Sequence, residues 1–148
     1  MTPVKHVVAS GVTSVLFAFL TRSWVGTMAC FLSGIFIDLD HLLDYCIFRK
    51  KMCWSIKELE DFCFERTGKI YLILHSYELM AILWVTVYYF GMQPVWFGII
   101  FGMSVHMLLD QIINPVHPLA YFLFYRLKIG FTKAIFFNEG LIEEPQAD

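Results

Sequence analysis

Apolar residues run along this chain in long blocks, not in the alternation of strands or the one-faced stripe of soluble helices. Four blocks stand out, Pro3 to Leu20, Trp24 to Asp44, Ile70 to Phe90 and Val95 to Ile113. Each is close to the roughly 20 residues a helix needs to cross a bilayer. Pro3 and Pro94 stand where a first helical turn tolerates proline, and Asn114-Pro115 is a stop signal after the fourth block. The connections Thr21 to Ser23 and Gly91 to Pro94 are long enough only for antiparallel neighbours. The pattern predicts an all-α, integral membrane four-helix bundle with up-down topology, one membrane domain over residues 1–138 and a flexible acidic tail over 139–148.

Two segments between and after the blocks read differently. Ser55-Ile-Lys-Glu58 is a capping-box pattern leading into Leu59, Phe62 and Cys63 at helical spacing, which predicts a short amphipathic helix on the membrane surface. Leu119 to Phe137 is aromatic and apolar but interrupted by Arg126, Lys128 and Lys133, which predicts an interfacial or re-entrant helix rather than a fifth span.

Composition agrees: 58% of the 148 residues are hydrophobic and 16% charged, with mean hydropathy +0.63, against about a quarter charged in soluble domains. Of eleven Lys and Arg, only Arg22 falls in the short connections opposite the termini. The positive-inside rule then puts both termini and the 45–69 connection in the cytoplasm. His6 interrupts the basic start of the first block and no clean cleavage site follows, so it reads as a retained helix, not a signal peptide. Cys30, Cys46, Cys53 and Cys63 form no CxxC pair and read as structural thiols. No basic, aromatic surface of the kind that binds nucleic acid is present.

Ionisable residues cluster near one end of the blocks. His6 opens the first, Asp38, Asp40, His41 and Asp44 close the second, His75 and Glu78 lie early in the third, and His106 and Asp110 late in the fourth. Asp38/His41 and His75/Glu78 are i,i+3 pairs and Asp40/Asp44 and His106/Asp110 are i,i+4 pairs, so each pair shares a helix face. At about 100° per residue, Asp40, His41 and Asp44 span an arc of about 100°, with Asp38 about 60° beyond. Charged groups at membrane depth cost several kcal/mol each unless paired or hydrated. Any one pair alone could be an interhelical hydrogen bond; several at matching depth suggest a divalent cation. A nitrogen and oxygen donor set suits Zn²⁺, with Mn²⁺ or Fe as alternatives, in one or more ions. His6 or His117 alone would read as a hydrogen-bonded histidine. Gly11, Gly34, Gly98 and Gly102 read as close helix-packing positions.

Gly34-Ile-Phe-Ile-Asp38-Leu-Asp40-His41, Leu74-His75-Ser76 and His106-Met-Leu-Leu-Asp110-Gln111, after His6 and Gly11, resemble the YdjM-type inner-membrane metal-dependent hydrolases, which are similar to zinc-dependent phospholipases C. The resemblance covers about residues 6 to 118. It implies an all-helical fold, hydrolase activity and a metal centre of His6, Asp38, Asp40, His41, His75, His106 and Asp110.

The expected chemistry is metal-assisted hydrolysis, with Asp44 or Glu78 taking the proton of the attacking water. A site in the cytoplasmic leaflet favours membrane lipids as partners and a phospholipid or other lipid ester as substrate. Arg126 and Lys128 would steer an anionic headgroup or snorkel to the interface. The rival readings are a metal-ion or proton transporter and a non-catalytic, metal-stabilised membrane scaffold.

Overall fold

In the computed structural model, which describes residues 3–65 and 67–137, the apolar blocks are helices packed with their polar residues inward. The first, α1 (Pro3–Thr21), buries His6, Ser10, Thr13, Ser14 and Phe17 and exposes Val4, Val8, Val12, Val15 and Phe19. A helix that hides serines and shows valines is matched to a solvent of lipid tails. The second block is two helices, α2 (Trp24–Phe36) and α3 (Leu39–Arg49), separated by a turn at Ile37 and Asp38. Then follow α4 (Ile56–Phe64), α5 (Tyr77–Tyr89), α6 (Pro94–Ile113), α7 (Leu123–Lys128) and α8 (Lys133–Phe136). Among the described residues there is no strand, only an isolated antiparallel bridge between Lys69 and Thr132. The expected tail, 139–148, lies outside the described residues.

The architecture is therefore all-helical, with three stretches long and apolar enough to cross a membrane: Val4–Thr21, Trp24–Arg49 and Pro94–Ile113. The expected third span, 70–90, is corrected. Its helix begins only at Tyr77 and has 13 residues, about 20 Å at 1.5 Å per residue against a hydrocarbon core of about 30 Å. Residues 67–76 are extended and bent, and side chains from distant helices, not helical neighbours, take up their backbone groups.

Close packing of α2 against α6, with α1 alongside, forms the frame. A Cβ on Gly98 would lie 2.1 Å from the carbonyl oxygen of Gly26, and one on Gly102 2.3 Å from that of Cys30. Gly34 similarly faces Ser10 Oγ. Without a hydrophobic force to hold helices together in lipid, such backbone proximity is what associates them. Gly11, expected among these positions, is not one of them: nothing lies within 4 Å of where its Cβ would be.

The C-terminal segment is two short helices and turns rather than one helix. It zips onto residues 67–76 through Ile70 N–H to Phe131 C=O, Lys133 N–H to Gly68 C=O and Tyr77 N–H to Tyr121 C=O. A core of Ile37, Ile70, Leu72, Met103, Met107, Tyr121 and Phe136 lies beneath. The amphipathic helix α4 forms as expected, but not through a capping box. Ser55 makes no side-chain cap bond, and Glu58 instead accepts from Tyr45 Oη and Lys51 Nζ, tying α4 to α3.

Candidate metal centre

Three helices each carry a row of residues four apart that is small at one end and ligating at the other. On α1 the row is Ser14, Ser10, His6; along α2 and its following turn it is Gly26, Cys30, Gly34, Asp38; on α6 it is Gly98, Gly102, His106, Asp110. Residues four apart lie over one another on a helix face. The small ends let the helices touch, and that contact aims the ligating ends at one point.

Two overlapping groups of donors result. His6, Asp38, His106 and Asp110 present one donor atom each, all within 4.8 Å of one another, and Asp38, His41 and His75 do the same. Nε2 of His106 lies 3.3 Å from Asp38 Oδ1 and 3.4 Å from Asp110 Oδ2. His6 Nε2 is 3.5 Å from Asp110 Oδ1, and His75 Nε2 is 3.6 Å from Asp38 Oδ1 and 3.8 Å from Asp110 Oδ2. His41 Nε2 lies 3.9 Å from Asp38 Oδ1. Four ligands at about 2.0–2.1 Å around a tetrahedral ion stand about 3.3 Å apart. The observed spacings, 3.3–3.9 Å, leave room for a cation between the donors and are longer than ordinary hydrogen bonds.

The ring orientations agree. His106 Nδ1 sits 2.7 Å from the carbonyl oxygen of Gly34. A carbonyl only accepts, so Nδ1 carries a proton, and in the neutral ring Nε2 then offers its lone pair. His75 Nδ1 faces Asp40 Oδ2 at 3.4 Å, which leaves its Nε2 in the same role. Both Nε2 atoms are buried without a hydrogen-bond partner, a costly state that a bound ion would relieve. His6 stacks on His106 with ring centroids 4.3 Å apart. This buried His/Asp group can hold a metal ion.

Six of the seven expected ligands meet here. The seventh, Asp40, stands behind His75: its Oδ2 also accepts from the backbone N–H of Leu74 and of His75, the latter at 3.1 Å. The two expected proton acceptors have other partners. Asp44 Oδ2 accepts from the N–H of Tyr71 and Leu72 at 2.8 and 3.4 Å, and Glu78 accepts from Leu123 and Phe124 N–H at 2.8 and 3.1 Å. Neither belongs to the donor groups. For Asp44 the reason is the non-helical stretch 67–76, whose buried backbone amides have no helical partners and need an acceptor; Glu78 instead takes the first two amides of α7, which a helix start leaves unpaired. Glu78 and His75 do not share a helix face, because α5 starts between them.

Arg126 is also corrected. It is fully buried and donates to the backbone carbonyls of Tyr71, Leu72 and His75 instead of reaching a headgroup. His117 stacks on Tyr125 at 4.6 Å and caps its own turn through Leu119 N–H. Asn114, read in the sequence only as a helix stop, donates from Nδ2 to Asp110 Oδ1 at 2.9 Å and orients that ligand.

A cavity of about 250 Å³ opens against His6, Asp38, His41 and Asp110. The rest of its wall includes Leu59, Glu60 and Cys63 of α4, Ile70 and Leu72 of the non-helical stretch, and Val116 and Phe136. Burial pushes the Cys63 thiol up to about 12, so it faces the cavity as a neutral thiol. The four cysteines are free thiols.

Glu78→Ala is expected to cost about 0.5–2 kcal/mol, because two amides at the start of α7 lose their acceptor, while leaving metal content intact. Thermal unfolding and elemental analysis of the same sample check this. Loss of metal with unchanged stability would return Glu78 to the ligand set.

Compared with protein-family models, with curated proteins and with solved structures, the chain has no match.

Proposed function

We propose that this chain is a membrane-embedded, metal-dependent hydrolase acting on an amphiphile, a phospholipid or other lipid ester, with zinc as the favoured ion. The observation that carries the reading is the position of His6, Asp38, His41 and Asp110 of the donor groups in the wall of a mostly apolar cavity. It is also what the resemblance to the YdjM-type hydrolases implies. The excess of Lys and Arg at the end of the helices that carries the donors supports a cytoplasmic site.

When bound, a divalent ion supplies Lewis acidity at the junction of polar and apolar surface. His6 and His106 in one donor group, and His41 and His75 in the other, would hold it through neutral nitrogens, and Asp38, common to both, and Asp110 would balance its charge. The apolar wall takes the hydrocarbon part of the substrate and sets its scissile bond beside the carboxylates. Water adds to the acyl or phosphoryl centre, the bond to the leaving oxygen breaks, and that oxygen takes up a proton. Of the carboxylates lining the cavity, Glu60 stands outside both donor groups, so it, in place of Asp44 or Glu78, receives the proton from water and returns it.

The test presents mixed-micelle phospholipids and neutral lipid esters to detergent-purified protein, before and after chelation. Cleavage that chelation abolishes and zinc restores is expected, with Glu60→Gln slower by about 10²–10⁴-fold and fully metallated. Stoichiometric metal with no cleavage of any lipid would overturn the hydrolase reading in favour of a scaffold or an ion transporter.

A further inference from the structure

His75 is the one candidate ligand carried by the non-helical stretch 67–76, and that stretch is held from both sides. On the amide side, Asp44 takes Tyr71 and Leu72 and Asp40 takes Leu74 and His75. On the carbonyl side stands Arg126, 0% exposed. Its Nη1 donates to Tyr71 C=O and, at 2.6 Å, to Leu72 C=O; its Nη2 donates to His75 C=O at 3.1 Å. Between these clamps Leu72 holds φ +44°, a left-handed conformation that a branched side chain adopts only when its surroundings enforce it.

From this geometry we infer that Arg126 is a positioning residue of the metal centre, setting the backbone of 71–75 so that His75 Nε2 faces Asp38 and Asp110. The inference rests on the metal-binding reading above. It accounts for a guanidinium buried under the C-terminal segment, where the nearest expected job, steering a headgroup, is closed to it. It also accounts for the residue type. Three carbonyls at fixed angles match the rigid fork of a guanidinium, whereas an ammonium is a compact point donor on a flexible stem. Finally, it gives the C-terminal segment a role: α7 carries Arg126, and Glu78 holds the start of α7 through Leu123 and Phe124. The outer helices thus connect to the ligand through one side chain.

Arg126 touches no donor atom of the centre, so its effect should pass through His75, and a double-mutant cycle isolates that. Co²⁺ is titrated into detergent-purified wild type, Arg126→Lys, His75→Ala and the double variant, following visible absorption and bound-ion count, with helical circular dichroism recorded on each. Arg126→Lys keeps the charge opposite Asp40 and Asp44 and loses only the fork, so it is the variant that keeps the fold. The expected result is a weakening of about 10- to 100-fold in Arg126→Lys, the range for groups that orient a ligand, with absorption shifted toward that of His75→Ala. The double variant should bind no more weakly than His75→Ala alone, because a positioning residue has nothing left to position.

Wild-type affinity and spectrum in Arg126→Lys would overturn the inference, as would losses that add in the double variant. Loss of helical signal in Arg126→Lys, rather than of Co²⁺ affinity, would also overturn it, since Arg126 would then serve the fold and not the ligand. Failure of the wild type itself to bind Co²⁺ is a different result: it removes the metal reading and this inference with it.

Discussion

Asp38→Ala is expected to abolish metal binding outright, whereas His41→Ala should only weaken it. Asp38 is the residue common to both donor groups. Its Oδ1 lies 3.3 Å from His106 Nε2, 3.6 Å from His75 Nε2 and 3.9 Å from His41 Nε2, and its Oδ2 lies 3.9 Å from His6 Nδ1. Without it, His41 and His75 have no carboxylate in their group, and His6 and His106 share Asp110 alone. An ion of charge two would then leave water for a pocket with one compensating charge, which is unfavourable at low dielectric. The substitution is also a clean one. Asp38 precedes α3 but makes no side-chain cap bond there, so the loss of a ligand is not mixed with the loss of a helix cap. His41, by contrast, belongs to one group only and sits at its edge. Elemental analysis beside circular dichroism decides the matter. Stoichiometric metal in a folded Asp38→Ala protein would place the ion elsewhere.

How much of this was legible in the sequence follows from how local each cause is. The three long apolar stretches follow from block length, and the six His and Asp residues of the donor groups from residue type and spacing. The rows that aim those ligands were also there to be read. Gly26, Cys30 and Gly34 lead to Asp38 at steps of four, and Gly98 and Gly102 lead to His106 and Asp110. The turn at Ile37 and Asp38 was not legible, because apolar periodicity runs through it unbroken. Nor was the stretch 67–76. An i,i+3 pair such as His75 and Glu78 suggests one helix face, and only partners 27 to 55 positions away, Asp44 and Arg126, make an extended path tolerable there. The same long-range demand turned Asp40 and Asp44 from expected ligand and base into acceptors for the amides of that stretch, while Glu78 takes the first two amides of α7.

That frame makes Gly98 the most sensitive position remote from the donors. In Gly98→Val the first added carbon would fall 2.1 Å from the carbonyl oxygen of Gly26, 3.0 Å from its carbonyl carbon and 3.2 Å from the amide nitrogen of Cys30. All three are backbone atoms, so no side chain can rotate away and α2 and α6 must separate. Overpacking ordinarily costs about 1–3 kcal/mol; with rigid partners the cost should reach or pass the upper end of that range. The damage should not stay local. The bond from His106 Nδ1 to Gly34 C=O crosses the same interface two turns along, and Gly102 meets Cys30 between them. Separation would release the His106 ring and with it the metal, so stability and metal content should fall together. Gly11→Ala is the matched control. It is a helical glycine with open space around its missing Cβ, where alanine should be neutral or stabilising by up to about 1 kcal/mol. Thermal unfolding in detergent and elemental analysis of both variants read out the difference. A Gly98→Val protein that melts with the wild type and keeps its ion would mean that α2 and α6 do not touch through backbone, and that the donors are brought together by something other than the small-residue rows.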